Sequence, residues 1–304
     1  MAINPPVRPR RGPSRTRIWL RRIVATVVVV AFLGGGFGIV YAATQGGDEE
    51  AAPPPPTTTA APRPKPLRII FPEGFTIEQM ASRITVVNRI ARKKRHIRPR
   101  LKAAKYLNLT RNAPFPKGFG GKRGKLEGFM FPATYEFLKR TTTKQLVADQ
   151  LDAFSDNWKK VDLAYAKSKH LTPYEVLIIA SMVEKEAVVP SERPLVASVV
   201  YNRLKQGMPL GIDATIRYGL DVPGTEALRE SQLNSDSPYN TRNRTGLPPT
   251  PIANPGLPSM KAAANPAPVK YLFFVRKPDR VHHFFTASES EFYAKACEYG
   301  FGCR

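Results

Sequence analysis

Two glutamates near the middle of the chain, Glu184 and Glu186, are the residues whose type and position most directly suggest chemistry. Glu186 follows Val176, Ile179 and Val183 at steps of three and four residues, which is the spacing of one helical face. An apolar setting favours the protonated form of a carboxyl group, so Glu186 is a candidate general acid. The alternative is an exposed glutamate at a fraying helix end, and the spacing alone leaves both interpretations open.

The helix that carries these glutamates has clear start and stop signals. Thr172 and Glu175 form a Thr-x-x-Glu capping box, with a proline between them at the first helical position. Pro190 is expected to close this helix, and Ser191 to cap a second helix that ends near residue 204.

The two glutamates cannot share one role, because positions two apart on a helix point about 200° away from each other. Glu186 lies on the wider apolar face. Glu184 lies on a narrower, more polar face, and we expect it to orient a neighbour or to pair with Arg193 or Arg203.

A set of motifs surrounds this helix in a definite order. Each motif is weak by itself, but together they cover most of residues 67–295. They are LEGFMFPATYEF (126–137), ASMVEKEA (180–187), SERPLVASVVYNRLKQGMPL (191–210), IDATIRYGL (212–220), SPYNTR (237–242), GLPPTPIANPG (246–256), YLFFV (271–275) and HHFFT (282–286). The ordered set resembles the endolytic murein transglycosylase family.

The resemblance implies site residues. In the family motif the glutamate followed by a small residue is the acid, which corresponds here to Glu186 before Ala187, with Glu184 in support. The Pro- and Gly-rich loops after the central helices could simply make turns. The family places them in a cleft, where their polar groups would suit acetamido sugars. The implied substrate-binding residues are Glu127, Asp213, Tyr218, Tyr239 and Asn240.

The implied reaction needs one carboxyl group and no metal or cofactor. It would cleave the MurNAc–GlcNAc bond of nascent peptidoglycan strands, leave 1,6-anhydro-MurNAc ends and so limit glycan length. The family implies peptidoglycan synthases and division or elongation proteins as partners. The alternative function is a non-catalytic wall-binding scaffold that tethers such synthases.

The N-terminal part predicts a membrane anchor. Residues 1–22 contain seven arginines and no acidic residue, and residues 23–44 form an uncharged, apolar stretch. Twenty-two helical residues would span about 33 Å, enough for a bilayer core. The positive-inside rule predicts a cytoplasmic N-terminus and an extracytoplasmic remainder. A cleaved signal peptide is the rival interpretation.

The next segments are a linker and a small module. Residues 45–66 are rich in Pro, Thr and Ala and predict an extended spacer. In residues 67–125, a short strand at 68–71 and a capping box at Thr76 and Gln79 predict a strand, a turn and a helix. This order resembles a LysM-like module. Residues 126–304 are then the catalytic domain, so the predicted fold is a transmembrane helix, a LysM-like module and a mixed α+β domain.

The remaining segments predict scaffold. An amphipathic pattern in residues 142–169 predicts one or two helices whose inward side chains are Leu146, Ala148, Leu151, Phe154 and Trp158. Residues 271–275 and 283–285 predict closing strands of a sheet. The aromatic side chains of residues 126–137 could form a core or a surface for sugar rings.

Charge and cysteine content limit the other functions. The net charge is +23, and residues 89–125 hold fourteen basic residues and no acidic one. Nucleic acid is disfavoured as a partner because this segment is predicted to lie outside the cytoplasm. Cys297 and Cys303 are not a zinc site by themselves. Their proximity and an oxidising compartment predict a disulfide.

Overall fold

The computed structural model describes residues 65–301 and residue 303. The predicted arm, membrane span and most of the linker lie outside these residues. Residues 65–301 belong to one compact unit. Among the helices of residues 65–301, none combines the length and the apolar character needed to cross a bilayer.

The described chain is a mixed α+β structure in which helices dominate. Its elements are β1 Leu67–Ile70, α1 Ile77–Arg95, α2 Ala103–Arg111, β2 Ala113–Pro114, β3 Arg123–Gly124, β4 Thr134–Phe137, α3 Thr143–Trp158, α4 Ala164–Ser168, α5 Pro173–Glu186, a 3-10 turn Pro190–Glu192, α6 Arg193–Lys205, α7 Asp213–Gly219, α8 Glu230–Leu233, α9 Leu257–Ala264, β5 Phe273–Arg276, β6 His283–Thr286 and α10 Glu289–Glu298.

The strands form three antiparallel pairs: β1 with β4, β2 with β3, and β5 with β6. In the first pair, Leu67 lies opposite Phe137 and Ile70 opposite Thr134. This pairing joins residues on both sides of the boundary predicted between residues 125 and 126. The predicted closing strands are confirmed, with Phe273 opposite Thr286 and Arg276 opposite His283.

Local signals set the helix starts where the sequence predicted them. The capping boxes at Thr76 and Thr172 are both formed.

The predicted start of the helix after Pro190, α6, is wrong. Ser191 does not cap it; residues 190–192 form a 3-10 turn, and α6 begins at Arg193 without a side-chain cap. The first helix already ends at Glu186, before Pro190.

One core runs through the described chain and is built largely around α5. Its residues from Val176 to Val183 are all buried. The segment 126–137 contributes Phe129, which is fully buried and packs against Phe154 at 5.1 Å between ring centroids. This aromatic side chain therefore belongs to the core.

In α3 the predicted inward position of Ala148 is wrong. Ala148 is exposed, and Val147 and Gln150 are buried instead.

Candidate active site

Glu186 is the last residue of α5, at the point where the chain leaves the buried helix. Its side chain is partly exposed. Burial raises the pKa of Glu186 to about 7, and the negative charge of Asp213 acts in the same direction. The charges of Arg276 and Lys185, and a hydrogen bond from the backbone N–H of Ala214, oppose this increase. A carboxyl group that is half protonated near neutral pH can both donate and accept a proton.

Glu184 has different surroundings on the opposite side of the helix. Its side chain is only 6% exposed. Its Oε2 accepts a hydrogen bond from the backbone N–H of Gly256 at 2.9 Å. The guanidinium of Arg193 lies 4.0 Å from Oε1, which confirms one of the two predicted cation partners. The geometry therefore gives Glu184 the role of tying α5 to the segment before α9.

Glu73 joins Glu184 at this second site. Both carboxylates lie 4.0 Å from Arg193 Nη2. Burial and the charge of Glu184 raise the pKa of Glu73, and Arg193 lowers it. Glu73 comes from the turn after β1, so the N-terminal strand and turn pack against the C-terminal end of α5. Lys185 Nζ donates to the Gly74 carbonyl at 3.4 Å in the same place.

Asp213 opens α7 close to Glu186. Its carboxylate forms an ion pair with Arg242 Nε at 2.7 Å, with both side chains a little under half exposed. The ion pair satisfies part of the hydrogen-bonding capacity of Asp213 and links the start of α7 to the loop after Asn240.

Tyr218 and Tyr239 form an aromatic pair at the other end of α7, with ring centroids 5.2 Å apart. The Tyr218 hydroxyl donates to Glu127 Oε2 at 3.1 Å and accepts from Lys125 Nζ at 3.0 Å. The Tyr239 hydroxyl lies 2.8 Å from the hydroxyl of Thr250. Both rings are half-buried and offer partial faces to solvent.

Glu127 is fully buried, and both of its oxygens have partners. Oε1 accepts from the Ile77 backbone N–H at 3.1 Å and from Asn254 Nδ2 at 2.7 Å. Oε2 accepts from Tyr218 and lies 3.4 Å from Lys125 Nζ. Burial raises the pKa of Glu127 to about 7 despite the opposing charge of Lys125. In this conformation Glu127 connects α1, α7 and the segment around residue 254.

Asn240 is also buried and serves its own loop. Its Nδ2 donates to the carbonyls of Leu233 and Ser235 at 2.9 and 2.8 Å, and its Oδ1 accepts from the backbone N–H of Arg242 at 3.1 Å. These bonds fix the loop that presents Tyr239 and Arg242.

The predicted residues therefore fall into distinct groups joined by α7. Asp213 lies near Glu186, while Tyr218, Tyr239 and Glu127 cluster at the far end of the helix. The sequence interpretation missed Asn254, Glu73 and Arg276 as contributors. Among the residues that the structure describes, no cluster of His, Cys, Asp and Glu has the composition of a metal site.

A scan against protein-family models matches residues 57–298 to the YceG-like family. The chain belongs to the YceG-like family. A crystal structure of a YceG-like protein from Listeria monocytogenes superposes with a TM-score of 0.63 at 30% identity, covering 74% of each chain.

Curated relatives carry the name endolytic murein transglycosylase. The protein from Streptococcus pneumoniae strain R6 is 34% identical over 224 residues, which is 68% of this YceG-like chain and 40% of the relative. The protein from Bacillus subtilis is 38% identical over 152 residues, which is 50% of this chain and 42% of the relative. The matched region thus spans about two fifths of the length of these relatives.

Proposed function

We propose that this YceG-like protein is an endolytic peptidoglycan lytic transglycosylase with Glu186 as its single acid and base. The observation that carries this proposal is a partly exposed carboxyl group whose pKa burial raises to about 7, at the end of a buried helix. The names of the relatives and the family match support the substrate class.

The proposed reaction uses the same proton twice. The Glu186 carboxylic acid protonates the glycosidic oxygen between MurNAc and GlcNAc as the bond from C1 to that oxygen breaks. The resulting carboxylate then takes the proton of the muramoyl 6-hydroxyl as that oxygen bonds to C1. The product ends in 1,6-anhydro-MurNAc, Glu186 is protonated again, and no water is consumed. Intramolecular attack removes most of the cost of orienting a nucleophile.

The surroundings of Glu186 support a mechanism with one carboxyl group. An ordinary glycosidase needs a second carboxyl as nucleophile or base. The nearest candidate, Asp213, is held in an ion pair with Arg242. Glu184 is bound to Gly256 and faces Arg193. Neither is a free carboxylate beside Glu186.

The test is mass spectrometry of the products formed from purified glycan strands by the full chain. The wild type is expected to release 1,6-anhydro-MurNAc ends from internal positions. Glu186→Gln should abolish these products in a folded protein, and Glu184→Gln should reduce them without reaching zero. Normal turnover by Glu186→Gln would overturn the assignment. Glycan binding without any product from the wild type would favour the wall-binding scaffold instead.

We also propose that the protein is anchored by residues 23–44, with residues 45–304 outside the cytoplasm. The arginine-rich flank motivates this orientation, and the pairing of Cys297 with Cys303 suits an oxidising compartment. Peptidoglycan synthases and division or elongation proteins would be its partners there. A reporter that is active only in the cytoplasm, fused after Arg304, should stay silent; a strong signal would refute the orientation.

For residues 67–125 we propose a LysM-like module completed by β4. The order β1, α1, α2, β4 with antiparallel outer strands supports this assignment. Whether the module contacts glycan can be tested by exchanging exposed residues of α1 and measuring the dissociation constant for purified strands.

A further inference from the structure

Arg276 differs from the other partly buried arginines of the described chain. Arg193, Arg203 and Arg217 each donate hydrogen bonds to protein oxygens, and Arg83 lies over the ring of Phe75. Arg276 makes no side-chain hydrogen bond or ion pair within residues 65–301. The other partly buried arginines show that such a guanidinium is ordinarily paired, so the donors of Arg276 are available to a ligand.

The strand that carries Arg276 is held rigidly. At its start, Asn202 and Arg203 of α6 donate to the carbonyls of Tyr271 and Leu272 at 2.8 and 2.6 Å. Arg276 itself lies opposite His283 in the β5–β6 pair. The backbone of Arg276 is therefore fixed before any ligand arrives.

The partner strand, β6, attaches the β5–β6 pair to the segment that follows α5. The backbone N–H of His283 donates to Glu192 Oε1 at 3.0 Å, and the His283 ring nitrogen lies 2.8 Å from Glu192 Oε2. Both side chains are buried. Glu192 belongs to the 3-10 turn that begins four residues after Glu186. The hairpin therefore packs beside the end of α5.

Arg276 is close enough to Glu186 to influence it. Among neighbouring charges it has the largest effect on the Glu186 carboxyl, and it lowers the pKa of that group. It nevertheless forms no ion pair with Glu186, so its hydrogen-bond donors stay available beside the reacting group.

We propose that Arg276 binds a carboxylate of the glycan substrate next to the scissile bond and thereby selects anionic, muramoyl-containing strands. This inference rests on the proposed function of the Glu186 site. A planar guanidinium recognises a carboxylate with two parallel hydrogen bonds. Two sources of carboxylate are available on such strands: the lactyl group of a peptide-free muramoyl residue, and the stem peptide.

The experiment compares wild type, Arg276→Gln and Arg276→Lys on three substrates: peptide-bearing strands, peptide-free strands, and peptide-free strands whose carboxylates are methyl esters. Arg276→Gln should lower kcat/KM roughly tenfold to a hundredfold on carboxylate-bearing strands. On the methyl ester the loss should be clearly smaller, because only the effect of the Arg276 charge on Glu186 remains. Arg276→Lys should be intermediate because it keeps the charge and loses the planar fork.

The pattern of the loss identifies the carboxylate. A loss restricted to peptide-bearing strands assigns the stem peptide, and a loss on peptide-free acid strands assigns the lactyl group. Lys277→Gln is the matched control, because Lys277 directly follows β5 and carries the same charge one residue from Arg276. An equal loss on all three substrates, or no loss on any, would overturn the proposal, because Arg276 would then act only through Glu186 or not at all.

Binding separates this proposal from the proposed activity. In a Glu186→Gln background, the dissociation constants of the acid and ester strands can be measured without turnover. Arg276→Gln should weaken binding of the acid strands by a similar factor and leave the ester unchanged. If the wild type forms no anhydro product, the proposed function fails, and this binding comparison still decides the role of Arg276.

Discussion

Replacing Glu186 with Gln should stabilise the folded protein above neutral pH. Burial raises the pKa of Glu186 from an ordinary value of 4.5 to about 7. In the unfolded chain the group ionises near 4.5, so between pH 4.5 and 7 the folded state binds more protons. Wild-type stability therefore falls as pH rises through this interval. Gln does not ionise, so the variant does not lose stability in this pH interval.

The size of the effect follows from the two pKa values. A displacement from 4.5 to about 7 corresponds to about 3 kcal/mol of unfolding free energy. Because the Glu186 side chain is partly exposed, solvent screening reduces the expected gain to about 1–3 kcal/mol at pH 8. Near pH 4.5 the two proteins should agree within about 0.5 kcal/mol.

The assay is urea unfolding followed by circular dichroism at pH 4.5 and at pH 8, for wild type and Glu186→Gln. Glu226→Gln is the matched control, because Glu226 is exposed and its side chain has no partner within the described residues; its curve should follow the wild type at both pH values. The reasoning is refuted if Glu186→Gln is less stable than the wild type at pH 8, or if its advantage is the same at both pH values.

Four other perturbations can be measured by urea unfolding. Glu184→Gln removes one of the two carboxylates beside the Arg193 guanidinium and leaves only that of Glu73, and we expect urea unfolding to show a loss of about 1–3 kcal/mol; unchanged stability would contradict the role in tying α5. Glu127→Gln turns one acceptor oxygen into an N–H₂ donor that faces buried donors, which costs about 2–4 kcal/mol. It also removes the penalty of ionising a carboxyl group whose pKa burial raises to about 7, so at pH 8 the net loss of unfolding free energy should be at most about 2 kcal/mol. Tyr218→Phe removes the hydrogen bond to Glu127 and the one accepted from Lys125, and should cost about 1–2 kcal/mol in the same assay. Replacing Cys297 and Cys303 with Ser should lower stability by at most roughly 2–3 kcal/mol, since the closed loop is short. Two free thiols in the non-reduced wild type would contradict that last prediction.

The parts of the structure that the sequence predicted correctly depend on residues close together in the chain. The capping boxes at Thr76 and Thr172 each need only four residues, and both are formed. The disulfide between Cys297 and Cys303 closes a similarly local loop, with Cα atoms 4.5 Å apart. Contacts of this kind form between residues close in sequence and do not depend on tertiary packing.

The incorrect details have a tertiary cause. Ser191 has the chemistry of a helix cap, but the chain turns through residues 190–192 so that Glu192 can reach His283. This contact spans 91 residues of sequence. Ala148 fits the apolar period of α3, yet Gln150 takes a buried position because its Oε1 accepts a hydrogen bond from Tyr106 at 2.8 Å. A hydrophobic period cannot anticipate a buried polar pair.

The hydrogen-bond partners of the candidate-site residues could not be predicted from the sequence either. Glu127 was expected to meet substrate, and that role remains a prediction. The structure surrounds its carboxylate with donors from Ile77, Asn254 and Tyr218, at separations of 50, 127 and 91 residues. The Asn254 side chain also accepts from the backbone N–H groups of Gly128 and Met130 at 2.9 Å. Spacing within one motif carries no information about such distant partners.

Glu184 and Glu186 show how one short motif can both anchor the end of α5 and hold a carboxyl group with a raised pKa. A carboxyl group with a pKa near 7 is useful only if its position is fixed, and its raised pKa reduces the stability of the fold that holds it. Glu184 anchors the same helical turn through Gly256 and Arg193. A Cβ atom at Gly256 would overlap the Glu73 carboxylate, so the N-terminal turn, α5 and the segment before α9 meet there without spare space. Glu184 thus restrains the helix end on one side, and Glu186 lies on the other side, within reach of the charges of Asp213 and Arg276.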